Sequence, residues 1–357
     1  MSSGKRSRAN AIRPATMDSA HRHPANRDDG PTVTSTVVGW LAEVKASWAR
    51  FWFTPTAPHT LAAIRVMAGA MLFYAHFVYA LDLEAFVGAR SWVSPELSKE
   101  IHAGGTAWSF LWYVQSPAWL WIVHIACLVA IFCLMIGFWS RAAAALAWCI
   151  TVSYSHRTIG AQFGLDQVNA MLAMYLVIGP CGAAYSVDRW LKKKRMGSRA
   201  APVMPSVSAN VAVRLIQCHM CIMYLFAGIA KMRGDTWWDG SAVWFAIASL
   251  EYQSLDVTWL GRWPHLISLL THVTVFWETL YCVLVWPKLT RPLFLGLAVA
   301  VHLGIASCLG MITFGLAMLI GNFAFVSPRI VDAIVKRSLR FMPGQGDATA
   351  RSAVSPE

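Results

Sequence analysis

Lys231 ends the apolar run Gln217-Cys218-His219-Met220-Cys221-Ile222-Met223-Tyr224-Leu225-Phe226-Ala227-Gly228-Ile229-Ala230-Lys231, seven residues before Trp238-Asp239-Gly240. A charged side chain at the end of a membrane helix is costly to place, so its position asks for a reason. Gln217, Cys221, Tyr224, Gly228 and Lys231 recur at steps of four and three residues, which puts them on one face of a helix. The remaining positions are mostly Ile, Leu, Met and Phe, suited to lipid or packing. An amine withdrawn from water gives up its charge more readily and can take a proton from a weak acid such as a phenol. Position alone equally fits a lysine that snorkels to the headgroups.

Other polar residues fall in apolar runs. His302, in Val301-His302-Leu303, lies about 16 Å along its helix from Arg291, near mid-bilayer. A histidine at that depth either hydrogen-bonds to a neighbouring helix or orients a polar group of a ligand. Asp166 and Gln167 open another apolar run, where Asp166 fits a polar site group or a helix N-cap. Arg65 and Glu278 are the strongly charged residues well inside spans, and an unpaired charge there is expensive. A buried Arg65–Glu278 pair tying two spans together is the expected solution. His76, His124 and His272 map to the same half of the membrane as Lys231, either as helix-to-helix hydrogen bonders or as a proton path. No pair of them has a metal-ligand spacing such as His-x-x-x-His, and Cys218-His219-Met220-Cys221 lacks the Cys-x-x-Cys-His order, so no metal site is expected.

These residues must be positioned by membrane helices. Of 357 residues, 57% are apolar and 13% charged, against about a quarter charged in a soluble domain. The 18 tryptophans suit the lipid–water boundary. Eight stretches approach the length of a crossing, roughly 17 to 25 residues: about 60–81, 117–139, 142–156, 167–187, 213–231, 264–286, 292–309 and 311–326. Residues 232–263, with Trp237, Trp238, Trp244, Trp259 and Trp263, are too polar to span and read as an interfacial segment. The expected fold is therefore all-α: a polytopic helical membrane protein of about eight transmembrane helices with a Trp-rich interfacial segment. Its domain runs over 37–335, between a disordered basic tail (1–36) and a basic, polar tail (336–357).

The net charge of +12 does not indicate nucleic acid, because the basic residues sit in tails and short loops. With the N-terminus inside, 23 of the 30 Lys and Arg fall on inner segments and six on outer loops, Arg65 being within a span. That asymmetry predicts an inner (cell) membrane protein with both termini cytoplasmic. Five of the eight cysteines (Cys127, Cys133, Cys149, Cys282, Cys308) lie in apolar spans, which speaks against a disulfide framework.

The segment Tyr224-Leu225-Phe226-Ala227-Gly228-Ile229-Ala230-Lys231, followed by Trp238-Asp239-Gly240, resembles the catalytic-lysine segment of the vitamin K-dependent gamma-carboxylases and their small bacterial relatives, the HTTM-domain proteins. Supporting matches are Pro58-x-x-Leu61-Ala62-x-x-Arg65, Ser186-Val187-Asp188, and His302 followed by Gly310-Met311-Ile312-Thr313-Phe314. The resemblance implies that Lys231 deprotonates a reduced lipid quinone, that His302 helps orient it, and that Tyr224, Gly228, Asp166 and Gln167 contribute to its binding. Asp166 and Gln167 stand where the carboxylases have an Asn-His pair. The large extracytoplasmic domain that binds propeptide and glutamate in the carboxylases is missing between these spans, so complete glutamyl carboxylation is not expected. Two readings stay open: an oxidoreductase- or epoxidase-like membrane enzyme using a lipid quinol, with a separate soluble partner domain, or a non-catalytic transport or accessory protein on the same fold.

Overall fold

The protein is described here from a computed structural model covering residues 33–340. Of the tails expected over 1–36 and 336–357, residues 1–32 and 341–357 lie outside the described residues, while α1 and α15 take in 33–36 and 336–340. Fifteen α-helices follow one another among the described residues, with short 3-10 turns between some of them. The first four are α1 (Val33–Phe53), α2 (His59–Tyr79), α3 (Leu83–Val87) and α4 (Pro95–Ile101). Next come α5 (Pro117–Ile136), α6 (Ser140–Arg157), α7 (Gly164–Ile178) and α8 (Val187–Met196). They are followed by α9 (Val207–Lys231), α10 (Asp235–Trp238), α11 (Ala242–Ala248) and α12 (Pro264–Leu284). The chain ends in α13 (Arg291–Cys308), α14 (Ile312–Asn322) and α15 (Pro328–Arg340). Residues before Ala49 form a unit of their own; that part of α1 exposes Val37, Trp40, Leu41 and Val44.

Local chemistry sets the helix starts. Proline occupies the first turn of α4, α5, α12 and α13, where a missing N–H costs nothing. Ser94, Ser186 and Ser206 cap α4, α8 and α9 by accepting from Leu97, Arg189 and Ala209 N–H. Five helices are long and apolar enough to cross a membrane, and six if the sharply bent α14–α15 pair is one crossing. The protein is therefore a multi-pass membrane protein. Eight is a finer count than the helices support, because α7 is only 15 residues long and α6 ends in the polar run Ser153-Tyr154-Ser155-His156-Arg157.

In the main body α9 packs along α12, α2 along α5, α13 along α14, and α6 along α7, while α7 and α14 join these pairs into one bundle. Small residues permit the closest approaches: Gly228 lies on Thr279 of α12, Gly69 on Met135 of α5, and Gly315 on the His302 carbonyl of α13. Residues 83–116 are pinned to α6 rather than hinged. Fully buried Arg157 donates to the Val93 and Gly88 carbonyls and to Ser91 Oγ, and Ser98 donates to the His156 carbonyl at 2.9 Å.

The expected Arg65–Glu278 pair does not form. Arg65 is fully buried and directs its guanidinium at the Tyr185 carbonyl (2.5 Å) and at the Leu134 carbonyl near the C-terminus of α5 (3.4 Å). A helix C-terminus carries partial negative charge, so exposed carbonyls there serve a cation much as a carboxylate would. The Ser186-Val187-Asp188 motif completes this corner. Asp188 accepts from the Trp139 and Ser140 N–H groups and from Ser140 Oγ at 2.6–2.9 Å. It thereby caps α6 from a distant part of the chain.

Candidate functional site

Glu278 is instead the partner of Lys231, with Nζ and Oε2 2.6 Å apart. The glutamate is buried, and the lysine side chain keeps about a quarter of its surface exposed. Helix crossing explains the choice. Gly228 lets α9 close on Thr279, so the end of α9 arrives one residue from Glu278. Fourteen residues of α12, about 21 Å of helix, separate Pro264 from Glu278, so the lysine lies alongside the far part of α12 and not at its first turn. The Trp-rich segment closes over it: Nζ sits 5.4 Å from the Trp237 ring, and Trp238 Nε1 donates to the Met232 carbonyl at the end of α9. A ring face over an ammonium adds attraction in a poorly solvated place.

Two turns before Lys231 on the same face, Tyr224 is fully buried in a chain of hydrogen bonds. Tyr281 Oη donates to Asn322 Oδ1 at 2.5 Å. Asn322 Nδ2 donates to the Met318 carbonyl (2.8 Å) and to Tyr224 Oη (2.7 Å). Tyr224 Oη lies 2.7 Å from His302 Nε2. The directions follow from the partners. A carbonyl can only accept, so the Met318 contact fixes which end of the Asn322 amide is nitrogen. Tyr224 Oη accepts a hydrogen bond from that amide, and donation to His302 Nε2 is the arrangement that gives its own hydroxyl hydrogen an acceptor; the imidazole hydrogen is then on Nδ1. That Nδ1 is buried and has no hydrogen-bond partner. Trp277 and Phe314 stand edge-on to the imidazole.

Of the residues singled out from the sequence, Lys231, Tyr224, Gly228 and His302 thus share one region where α9, α12, α13 and α14 meet. Asp166 and Gln167 do not join it by any hydrogen bond. Asp166 Oδ2 accepts from Phe163 N–H at 3.0 Å, the helix-capping role, and Gln167 is exposed. The histidines divide. His124 Nδ1 meets Tyr154 Oη at 2.6 Å, and the His76 ring lies 4.8 Å from the Tyr154 ring, all three buried. His272 is elsewhere, bonded to the Ser268 and Trp238 carbonyls. Among the described residues no three His, Cys, Asp or Glu side chains converge as metal ligands would.

Asn322, Tyr281 and the Lys231–Glu278 partnership were missed from sequence. Asn322 carried a signal, being a lone amide at the end of the apolar helix Ile312–Asn322, and Tyr281 stands one helical turn beyond Glu278. No local signal joins Lys231 to Glu278, which are 47 positions apart.

The family model for the HTTM domain matches residues 53–329, most of the chain. The chain belongs to the HTTM-domain family. No curated protein and no solved structure matches it. Within the HTTM domain the matched region takes in every residue of the Lys231–Glu278 and Tyr281–Asn322–Tyr224–His302 groups. Two clefts lie elsewhere in the bundle: one between α2 and α14, lined by Met67, Met71, Tyr74, Leu316 and Phe323, and one under the Trp-rich segment. Neither is lined by Lys231 or His302.

Proposed function

We propose that this HTTM domain handles protons for a lipid quinol at the site formed by Lys231, Glu278, Tyr224 and His302, as an oxidoreductase-like membrane enzyme. The observation that carries the reading is the pairing of an acid–base couple, with Glu278 buried and Lys231 three-quarters buried, and a hydrogen-bond chain that ends in an unpartnered imidazole nitrogen. A proton held between amine and carboxylate is a store that can be taken up or released within the bilayer, and the His302 Nδ1–H is a donor without an acceptor, matched to the oxygen of a flat ring. A bound quinol supplies two electrons and two phenolic protons, and dioxygen is the electron acceptor that the carboxylase resemblance implies. When the Lys231 ammonium passes its proton to the Glu278 carboxylate 2.6 Å away, the neutral amine accepts a phenolic proton, so that ammonium and carboxylic acid together hold the two protons; His302 orients the ring oxygen, and Tyr224 with Asn322 holds His302 in the tautomer that can do so.

A second reading rests on the buried His76–Tyr154–His124 group, which the quinol chemistry does not use: polar groups in two parts of the bundle also suit a path for an ion or small solute. Purified protein distinguishes the two. Quinol-dependent oxygen consumption that is lost in Lys231→Arg and in His302→Phe, with folding retained, supports the enzyme. The guanidinium of the first variant keeps the ion pair but cannot act as a base. Solute flux in proteoliposomes without any quinone binding overturns it.

The same proposal includes eight crossings with both termini and the 188–212 loop in the cytoplasm, residues 231–262 facing outward, and a soluble partner supplied by a separate chain. An impermeant thiol reagent should not label a cysteine at position 193 in intact cells when the native cysteines have been removed. Labelling there reverses the topology.

A further inference from the structure

A cleft of about 700 Å³ lies under the Trp-rich segment, lined by Asp239, Ser241, Trp244, Arg262, His265 and Ser268 among others. That is the size of a small-molecule site, and both charge signs are present. The side chains of Arg262 and His265 make no hydrogen bond or ion pair among the described residues. In the same lining, Asp239 Oδ1 accepts from Ser241 Oγ and N–H at 2.5 and 2.8 Å, which leaves Oδ2 without a hydrogen-bond partner among the described residues. The Ser241 donors hold this carboxyl below the ordinary carboxylate range, so it stays ionised. The walls are built for close approach. Gly261 lies against the six-membered ring of Trp244, and Gly240, at φ +83°, lies against Ser268; a Cβ at either position would collide. Around the cleft the segment and the start of α12 expose Trp238, Phe245, Leu250, Trp259, Trp263 and Leu269. Such a girdle of indoles and apolar side chains belongs at a lipid–water boundary.

We propose that this cleft binds phosphoethanolamine, with the phosphate on Arg262 and His265 and the primary amine on Asp239. Arginine forks onto phosphate oxygens, and a primary ammonium donates to a free carboxylate oxygen where a quaternary choline cannot. The surrounding apolar girdle makes the headgroup of phosphatidylethanolamine the source. The inference stands apart from the Lys231 site and does not depend on quinol chemistry.

The test uses the full-length purified protein, stripped of lipid in detergent and incubated with vesicles of phosphatidylethanolamine, phosphatidylcholine or phosphatidylglycerol. Lipid retained through gel filtration is then measured by mass spectrometry. Phosphatidylethanolamine should be retained about tenfold over either other lipid, and Arg262→Gln or Asp239→Asn should each remove that preference, as expected for the loss of one contact to a charged group. Both residues are exposed, and an unchanged elution profile verifies folding. Soluble phosphoethanolamine that binds with the same dependence on Arg262 and Asp239, while no lipid is preferred, keeps the chemistry and assigns the source to a free solute. Equal retention of all three lipids, with no binding of soluble phosphoethanolamine, overturns the proposal, as does an unaltered preference in both variants.

Discussion

Lys231→Ala should destabilise the protein by roughly 3–5 kcal/mol, the cost typical of breaking a buried ion pair from one side. The variant leaves Glu278 with its carboxylate buried and unpaired, 2.6 Å from where the ammonium was. Glu278→Ala should cost less, because the stranded lysine keeps a quarter of its side-chain surface exposed and retains the Trp237 ring. Replacing both, as Lys231→Met with Glu278→Leu, should recover most of the loss, since two apolar side chains of similar volume carry no desolvation penalty. Thermal unfolding in detergent for the four proteins gives the double-mutant cycle. Additive losses, with the double variant as unstable as the sum of the singles, would falsify the pairing. The result also governs how the chemistry is probed: because alanine at position 231 costs fold as well as base, Lys231→Arg is the cleaner functional variant.

The second large effect is expected at the corner where α5 turns into α6. Gly137 has φ +74°, a conformation other residues adopt at a cost, and a Cβ there would fall on the Arg65 guanidinium. Gly137→Ala must therefore either displace Arg65 from the Leu134 and Tyr185 carbonyls or unwind the end of α5. Arg65→Ala removes the same two hydrogen bonds and leaves a cavity, for a loss of about 3–5 kcal/mol. The two changes should be far from additive, because each destroys the same arrangement. Folded yield and melting midpoint, measured by fluorescence-detected gel filtration, provide the check; a Gly137→Ala variant as stable as the parent would mean that Arg65 is not held as described. The carbonyl of Tyr185, itself at φ +49°, is the other half of this corner. Its left-handed backbone is secured from both sides, by Arg65 on its carbonyl and by Asp332 accepting from its hydroxyl.

Much of the site was legible from residue type and spacing. The four-and-three recurrence of Tyr224, Gly228 and Lys231 placed them on one face of a helix because helical geometry alone decides it, and that face is the one turned to α12 and α13. His302 could be assigned to the interior because a histidine so deep in an apolar helix needs a partner. The Ser-Val-Asp motif was recognisable as a pattern, but its task of capping α6 across 48 positions was not. Asp166 shows the opposite case. Two roles fitted its place at a helix start, and the hydrogen bond it makes, from Phe163 N–H, is that of the local one, the cap.

What the amino-acid sequence determined by itself was the class of solvent and the elements: low charge and long apolar runs require lipid, and capping serines and first-turn prolines set where helices begin. Tertiary structure alone decided the partners. Arg65 and Lys231 were both candidate partners for the buried carboxylate of Glu278, and pairing by charge could not say which cation would take it. Close packing at Gly228 brought Lys231 to it, while Gly137 left room for Arg65 among backbone carbonyls. The sites a cation can occupy include helix ends as well as acids, and which one is within reach depends on where helices cross, a property of the packed bundle that no single stretch of the chain contains.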